Sequence, residues 1–203
     1  LMASGAHAAY TLEGHETSGD VFGAGFGAAI GQFLGVLVSA SISGGHLNPM
    51  ATIGFASVNK FSWKKVPIYL LAQYLGAFFA TAVVFANYYN AIDAYDSGIR
   101  SAFGKKTSTG YIFTTFPSSS ANLGGALLDQ TIAAGILMIA NCVLADKKNL
   151  NVPTAACPIL LGLTLAGLII SYGFNCGAAL NPARDLSARI FLAMVGYGND
   201  VFR

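Results

Sequence analysis

Apolar residues dominate four stretches of the chain, Val21 to Ile42, Val66 to Tyr89, Leu123 to Ala145 and Pro153 to Phe174. About 20 helical residues cover the ~30 Å hydrocarbon core of a bilayer, so each stretch predicts a membrane-spanning helix. Two further apolar stretches, Pro49 to Val58 and Pro182 to Val195, are too short to span and predict half-helices. Residues 1–20 hold Glu13, Glu16 and Asp20 with no Lys or Arg, and residues 91–122 are rich in Ser, Thr and Gly. Both segments predict aqueous loops.

Composition agrees with the bilayer as solvent. Only 10% of the 203 residues are charged and 54% are hydrophobic, against roughly 25% charged in an ordinary soluble domain. Within the first span, Gly23, Gly27, Gly31 and Gly35 recur every fourth position and bare a strip of backbone along one helix face, which predicts close packing against another helix. The net charge of +2 comes without a basic run longer than Lys-Lys, so no phosphate-tracking stripe for nucleic acid is present. Cys142, Cys157 and Cys176 have neither CxxC spacing nor His partners; they read as small apolar fillers, with no metal site expected. No basic segment followed by an apolar core opens the chain, so no cleaved signal peptide is expected. Lys60, Lys64, Lys65, Lys147 and Lys148 share one side of the predicted topology and place the loops at 60–65 and 146–152 in the cytoplasm.

Two short segments repeat. Gly44 to Met50 reads GGHLNPM and Cys176 to Ala183 reads CGAALNPA, with the asparagines 133 residues apart. Proline at the first helical position sacrifices no intrahelical hydrogen bond, and Asn before it is a favoured cap. One such pair is ordinary capping. Two, each opening a helix too short to span, predict an inverted repeat whose half-helix N-termini meet at mid-membrane.

These paired boxes, Asn48-Pro49-Met50 and Asn181-Pro182-Ala183, resemble the signature of the aquaporin superfamily, the major intrinsic proteins, from about residue 21 to 203. Asp185 after Arg184 and the Tyr88-Tyr89-Asn90 end of the second span are similar to its glycerol-conducting, aquaglyceroporin branch. The Asn175-Cys176-Gly177 approach resembles the vertebrate intestinal aquaglyceroporins. The first box ends in Met50 where the family has Ala, which leaves the capping chemistry intact and alters the packing between the half-helices. The resemblance implies an all-α membrane protein, an inverted-repeat helical bundle forming one channel domain over 1–203. Repeat symmetry further calls for one span before residue 1 and one after residue 203, which makes that domain incomplete.

The implied activity is passive passage of water and glycerol, with urea as a further solute, and exclusion of protons and ions. No catalysis and no cofactor are expected. The implied setting is the plasma membrane, and the implied assembly a homotetramer. Arg184 belongs to the outer selectivity filter in such proteins, and ungapped counting puts Ala28 and Ala178 where aromatic rings commonly face it, which predicts a wide filter unless Phe22, Phe26 or Phe174 swings in. Asn48 and Asn181 are the expected mid-pore donors. The turns supply acceptors, with Gly44, Gly45, His46, Cys176, Gly177 and Ala179 as pore-lining or gating candidates. His46 titrates near physiological pH, and Cys176 would expose a thiol to mercurials. Gln130 lies where the family usually has a buried Glu bracing the half-helix loops, Asp185 is a second support, and Arg189 reads as structural or surface. Two alternatives remain open on sequence. One is a secondary transporter, disfavoured because Asp129 is the only acidic residue inside a predicted span; the other is a non-conducting membrane or junctional protein plugged by Met50.

Overall fold

A computed structural model describes residues 1–13, 19–149 and 151–203. Among them are seven α-helices and no strand: α1 (Met2–Leu12), α2 (Gly19–Ser43), α3 (Pro49–Ser57), α4 (Val66–Asp96), α5 (Leu123–Ala145), α6 (Cys157–Cys176) and α7 (Pro182–Leu192). Four helical stretches, Phe22–Ser43, Trp63–Asp96, Leu123–Ala145 and Thr154–Cys176, are long and apolar enough to cross a membrane. Their outer faces carry Ile42, Phe79, Ile139 and Phe174 at 63 to 84% exposure, a surface that water solvates poorly. The short helices α3 and α7 cover Pro49–Ser57 and Pro182–Leu192, beside the expected stretches 49–58 and 182–195.

Residues 2–12 are not an aqueous loop. They form α1, which packs along α2 and also meets α4. A Cβ added at Gly23, Gly27 or Gly31 would lie 2.1 Å from the Tyr10 ring, 2.5 Å from Ala6 Cβ or 3.2 Å from Met2 Cβ. The glycine strip therefore exists to admit α1, and its fourth member, Gly35, admits Leu47. The opposite flank of α2 lies along α6, where a Cβ on Gly162 would meet the Ala29 carbonyl at 2.6 Å.

The second span runs to Asp96, seven residues past its predicted end at Tyr89. Residues 97–122 also depart from expectation, because their middle is core. Ile112, Phe113 and Phe116 pack with Val84, Phe85 and Ile92 of α4 and with Ala188 and Leu192 of α7. Asp96 anchors the start of this segment, accepting from Arg100 at 2.6 Å and Thr109 at 3.2 Å. Polar composition had suggested a solvated loop, yet three large apolar side chains suffice to fold it down onto the helices.

Candidate functional site

Both half-helices begin in the same way. Asn48 Oδ1 accepts from the Met50 N–H at 2.9 Å, and Asn181 Oδ1 accepts from the N–H groups of Ala183 and Arg184 at 3.1 and 3.2 Å. Each cap satisfies donors that the first helical turn leaves without partners. The turns before them correspond as well: φ is positive at Gly44 and Gly45, and at Gly177 and Ala178, positions related by the same 133-residue offset. Ala178 adopts at +47° the left-handed conformation that Gly45 takes without a Cβ, at a cost of about 1 kcal/mol.

The capping asparagines also tie the two halves together. Asn48 Nδ2 donates to the Leu180 carbonyl at 2.8 Å, and Asn181 Nδ2 donates to the Leu47 carbonyl at 2.9 Å. A primary amide carries two N–H donors; in each asparagine one closes this reciprocal brace. Both residues line a cavity of about 580 Å³, so the second donor is available to whatever occupies it.

Ala28, Ala178 and Arg184 line the same cavity, together with Gly45, Gly177 and Ala179. Leu34, Ala51, Leu137, Leu165 and Ile169 give it an apolar wall. His7, Gln32 and Asn141 also reach it and escaped the sequence reading. His7 lies on α1, where the sequence predicts a loop, while Gln32 and Asn141 each interrupt an apolar run, 21–38 and 132–145, the signal that could have marked them.

Several expected residues lie elsewhere. The Cys176 thiol, buried at the end of α6, faces the Ala126 carbonyl of α5 at 3.9 Å and is absent from the cavity wall. Gly44 is off the wall too. His46 is packed among Phe55, Phe61 and Tyr69 at centroid distances of 4.7 to 5.5 Å, and its carbonyl, expected as a pore acceptor, accepts from Gln73 Nε2 at 2.6 Å. Met50 faces a separate groove between α3, α5 and α7, so it does not plug the cavity. Phe22 and Phe26 stack on each other at 6.2 Å and Phe174 is 80% exposed. All three rings are exposed and none of them lines the cavity.

The supports are polar and specific. Gln130 Oε1 accepts from the Leu180 N–H at 3.3 Å, and Gln73, unforeseen, holds both the His46 carbonyl and Thr52 Oγ1. Asp129 is engaged by Asn175 Nδ2 at 3.0 Å and Gln130 at 3.3 Å, which gives it a structural part. Asp185 pairs with Arg189 at 2.7 Å and stands 3.7 Å from Arg184. Arg189 also donates to the carbonyls of Thr115 and Val201, so it clamps structure and is no surface residue.

The family model for the major intrinsic proteins matches residues 1–198. The chain belongs to that family. This major intrinsic protein is 39% identical over 203 residues to aquaglyceroporin-2 of Rhizophagus irregularis, covering 100% of the chain and 64% of that relative. It is 40% identical over 178 residues to aquaporin-10 of Milnesium tardigradum, covering 88% of the chain and 43% of the relative. Against human aquaporin-10 it is 35% identical over 202 residues, with 100% and 66% covered. The X-ray structure of the aquaglyceroporin from Plasmodium falciparum superposes with a TM-score of 0.84 at 34% identity, covering 99% of this chain and 78% of that one. The chain thus spans 43 to 66% of the length of these three curated relatives. The family is one of channels, and this major intrinsic protein is a multi-pass membrane protein with the aquaporin fold.

Proposed function

We propose that this chain forms the conducting core of a passive channel for water and glycerol, with urea as a further solute. The observation that carries this reading is the reciprocal Asn48–Leu180 and Asn181–Leu47 brace on the wall of a cavity that also holds Arg184. A water or polyol entering a narrow passage gives up hydrogen bonds worth several kcal/mol in apolar surroundings. The free amide donors of Asn48 and Asn181 replace some of them at mid-passage, and the carbonyl groups of Gly177 and Ala178 are the acceptors, that of Ala179 being taken by the Asn181 N–H. The apolar wall keeps the file single-sided.

Arg184 is the filter residue. Its fork of permanently charged donors fits adjacent hydroxyls of a polyol, and Ala28 and Ala178 leave the opening wide. Each half-helix carries about half a positive charge at its N-terminus. Together they repel a monovalent cation by ~3 kcal/mol at ~6 Å and an effective dielectric of ~20. That slows a cation by roughly two decades; dehydration and the charge of Arg184 supply the rest of the exclusion. A homotetramer in the plasma membrane is the assembly and location we assign, supported by the exposed apolar faces and by the family resemblance.

Stopped-flow light scattering tests the function on proteoliposomes containing the protein expressed from its complete coding sequence. Fast, non-saturating water and glycerol flux with a low activation energy is expected. Flux that saturates with glycerol concentration means a carrier, and no flux above empty vesicles means a non-conducting protein; either result overturns the reading.

A further inference from the structure

The carboxylate of Asp185 stands beside the cavity arginine, yet it is bound mainly by other groups. Oδ1 accepts from Thr114 Oγ1 at 2.5 Å, Thr115 Oγ1 at 3.1 Å and the Thr115 N–H at 3.2 Å, while Oδ2 accepts from Arg189 Nε at 2.7 Å. Arg184 Nη1 is farther off, at 3.7 Å from Oδ1. The two threonines belong to the folded-down segment between α4 and α5, where Thr114 is 1% and Thr115 9% exposed. Thr115 also presses on the cavity turn, for a Cβ on Gly177 would come within 2.7 Å of it. Arg189 closes the arrangement by donating to the Thr115 carbonyl.

We propose that Thr114 and Thr115 are specificity-determining positioning residues, which hold Asp185 away from Arg184 and so keep the arginine's N–H donors directed at the solute. This deepens the channel reading and rests on it. A carboxylate oxygen seeks charge-assisted bonds of about 2.8 Å, and Arg184, 3.7 Å away, is a charged donor that Asp185 does not bind at that distance. With three threonine donors on Oδ1, the carboxylate is satisfied where it is. Without the two hydroxyls only the Thr115 N–H remains there, and Oδ1 closes the gap to Nη1. The arginine then spends one or two of its five donors on Asp185. Glycerol, which needs adjacent donors for adjacent hydroxyls, loses more by this than water, which needs one. The long segment between the two halves is thereby part of the filter, although among the described residues none of it lines the cavity.

Replacing both hydroxyls by methyl groups, Thr114→Val with Thr115→Val, preserves side-chain shape. Water and glycerol permeabilities are measured in the same proteoliposome preparation, normalised to the amount of protein in the membrane. Glycerol flux is expected to fall about tenfold relative to water, ~1.4 kcal/mol, and Thr114→Ser with Thr115→Ser is expected to keep the wild-type ratio. An unchanged ratio in the valine variant, an equal fall in both solutes, or the same loss in the serine variant overturns the proposal, since each marks a purely structural role. Should the double variant not reach the membrane, Thr114→Val alone is scored on the same ratio, with the same outcomes. Wild-type vesicles that conduct neither solute overturn the channel reading and this proposal with it. Wild-type vesicles that conduct both, beside valine variants with an unchanged ratio, overturn the positioning role alone.

Discussion

Ala28 and Ala178 contribute only methyl groups to the wall that Arg184 shares with His7, while the rings of Phe22, Phe26 and Phe174 are exposed and off that wall. On the proposed channel reading, discrimination among solutes falls to hydrogen bonding at Arg184. Introducing rings by Ala28→Trp with Ala178→Phe should cut glycerol flux at least tenfold while water falls much less, read as two separate permeabilities at equal protein. An equal fall in both would remove these alanines from the filter. His46 belongs to a different kind of site. Its ring is wedged among Phe55, Phe61 and Tyr69, and burial lowers its pKa from the usual 6.5. The unfolded chain therefore binds that proton more tightly than the folded one. The contribution of neutral His46 is complete above 6.5 and is lost as pH falls through the lowered folded value. Thermal melts at pH 7.5 and 5 should show a larger acid-induced drop in Tm for the wild type than for His46→Phe; identical drops would mean the imidazole titrates as freely as in the unfolded chain.

Among the elements, those with a strong local cause were legible and those whose cause is tertiary were not. Both half-helices could be read because Asn48-Pro49 and Asn181-Pro182 encode cap and first turn in adjacent residues, and the capping bonds are there. The four spans followed from apolar length alone. Helix α1 was missed because its sequence, MASGAHAAYTL, is made mostly of small and polar residues with no long apolar run. Its signal was present in another form: Met2, Ala6 and Tyr10 are spaced by four, as are their antiparallel partners Gly31, Gly27 and Gly23. The threonine clamp on Asp185 was hidden because it joins residues about 70 positions apart. Cys176 misled, since closeness in sequence to Asn181 does not fix the side of a helix end on which a thiol emerges. The glycine strip gives a sharp test. Gly27→Ala would put a methyl 2.5 Å from Ala6 Cβ, a rigid neighbour, whereas Gly167 has nothing within 4 Å. Overpacking at Gly27 should destabilise by about 1–3 kcal/mol, while Gly167→Ala should be neutral or gain ~1 kcal/mol of helix propensity. Melting both variants in one detergent decides it, and equal Tm values would deny that α1 packs on this strip.

Across the whole molecule, the two halves of the repeat meet at one polar junction. The Asn48 and Asn181 amides each cap their own half-helix and each reach the carbonyl preceding the other asparagine. Such closure is cooperative: the first brace fixes the separation of α3 and α7, so the second forms between groups already in place. Removing either asparagine sacrifices a cap, ~1 kcal/mol, together with a buried bond whose abandoned carbonyl costs a further ~1–3 kcal/mol. Once one brace is gone the half-helices can part, and the surviving asparagine holds less. Asn48→Ala and Asn181→Ala should therefore each destabilise the protein by several kcal/mol, whereas the double variant should fall short of their sum by about 0.5–3 kcal/mol, the range for residues in one network. The measurement is a double-mutant cycle on unfolding midpoints in a single detergent, with wild type, both single variants and the double variant. A coupling energy of zero would mean that the two braces act independently and that the halves are held together by the apolar contacts of α2 with α6 and α4 with α7. A substantial coupling would make the cavity wall and the join between the halves share the same four residues, so that the donors which the channel reading offers to a solute are fixed by the bonds that close the fold.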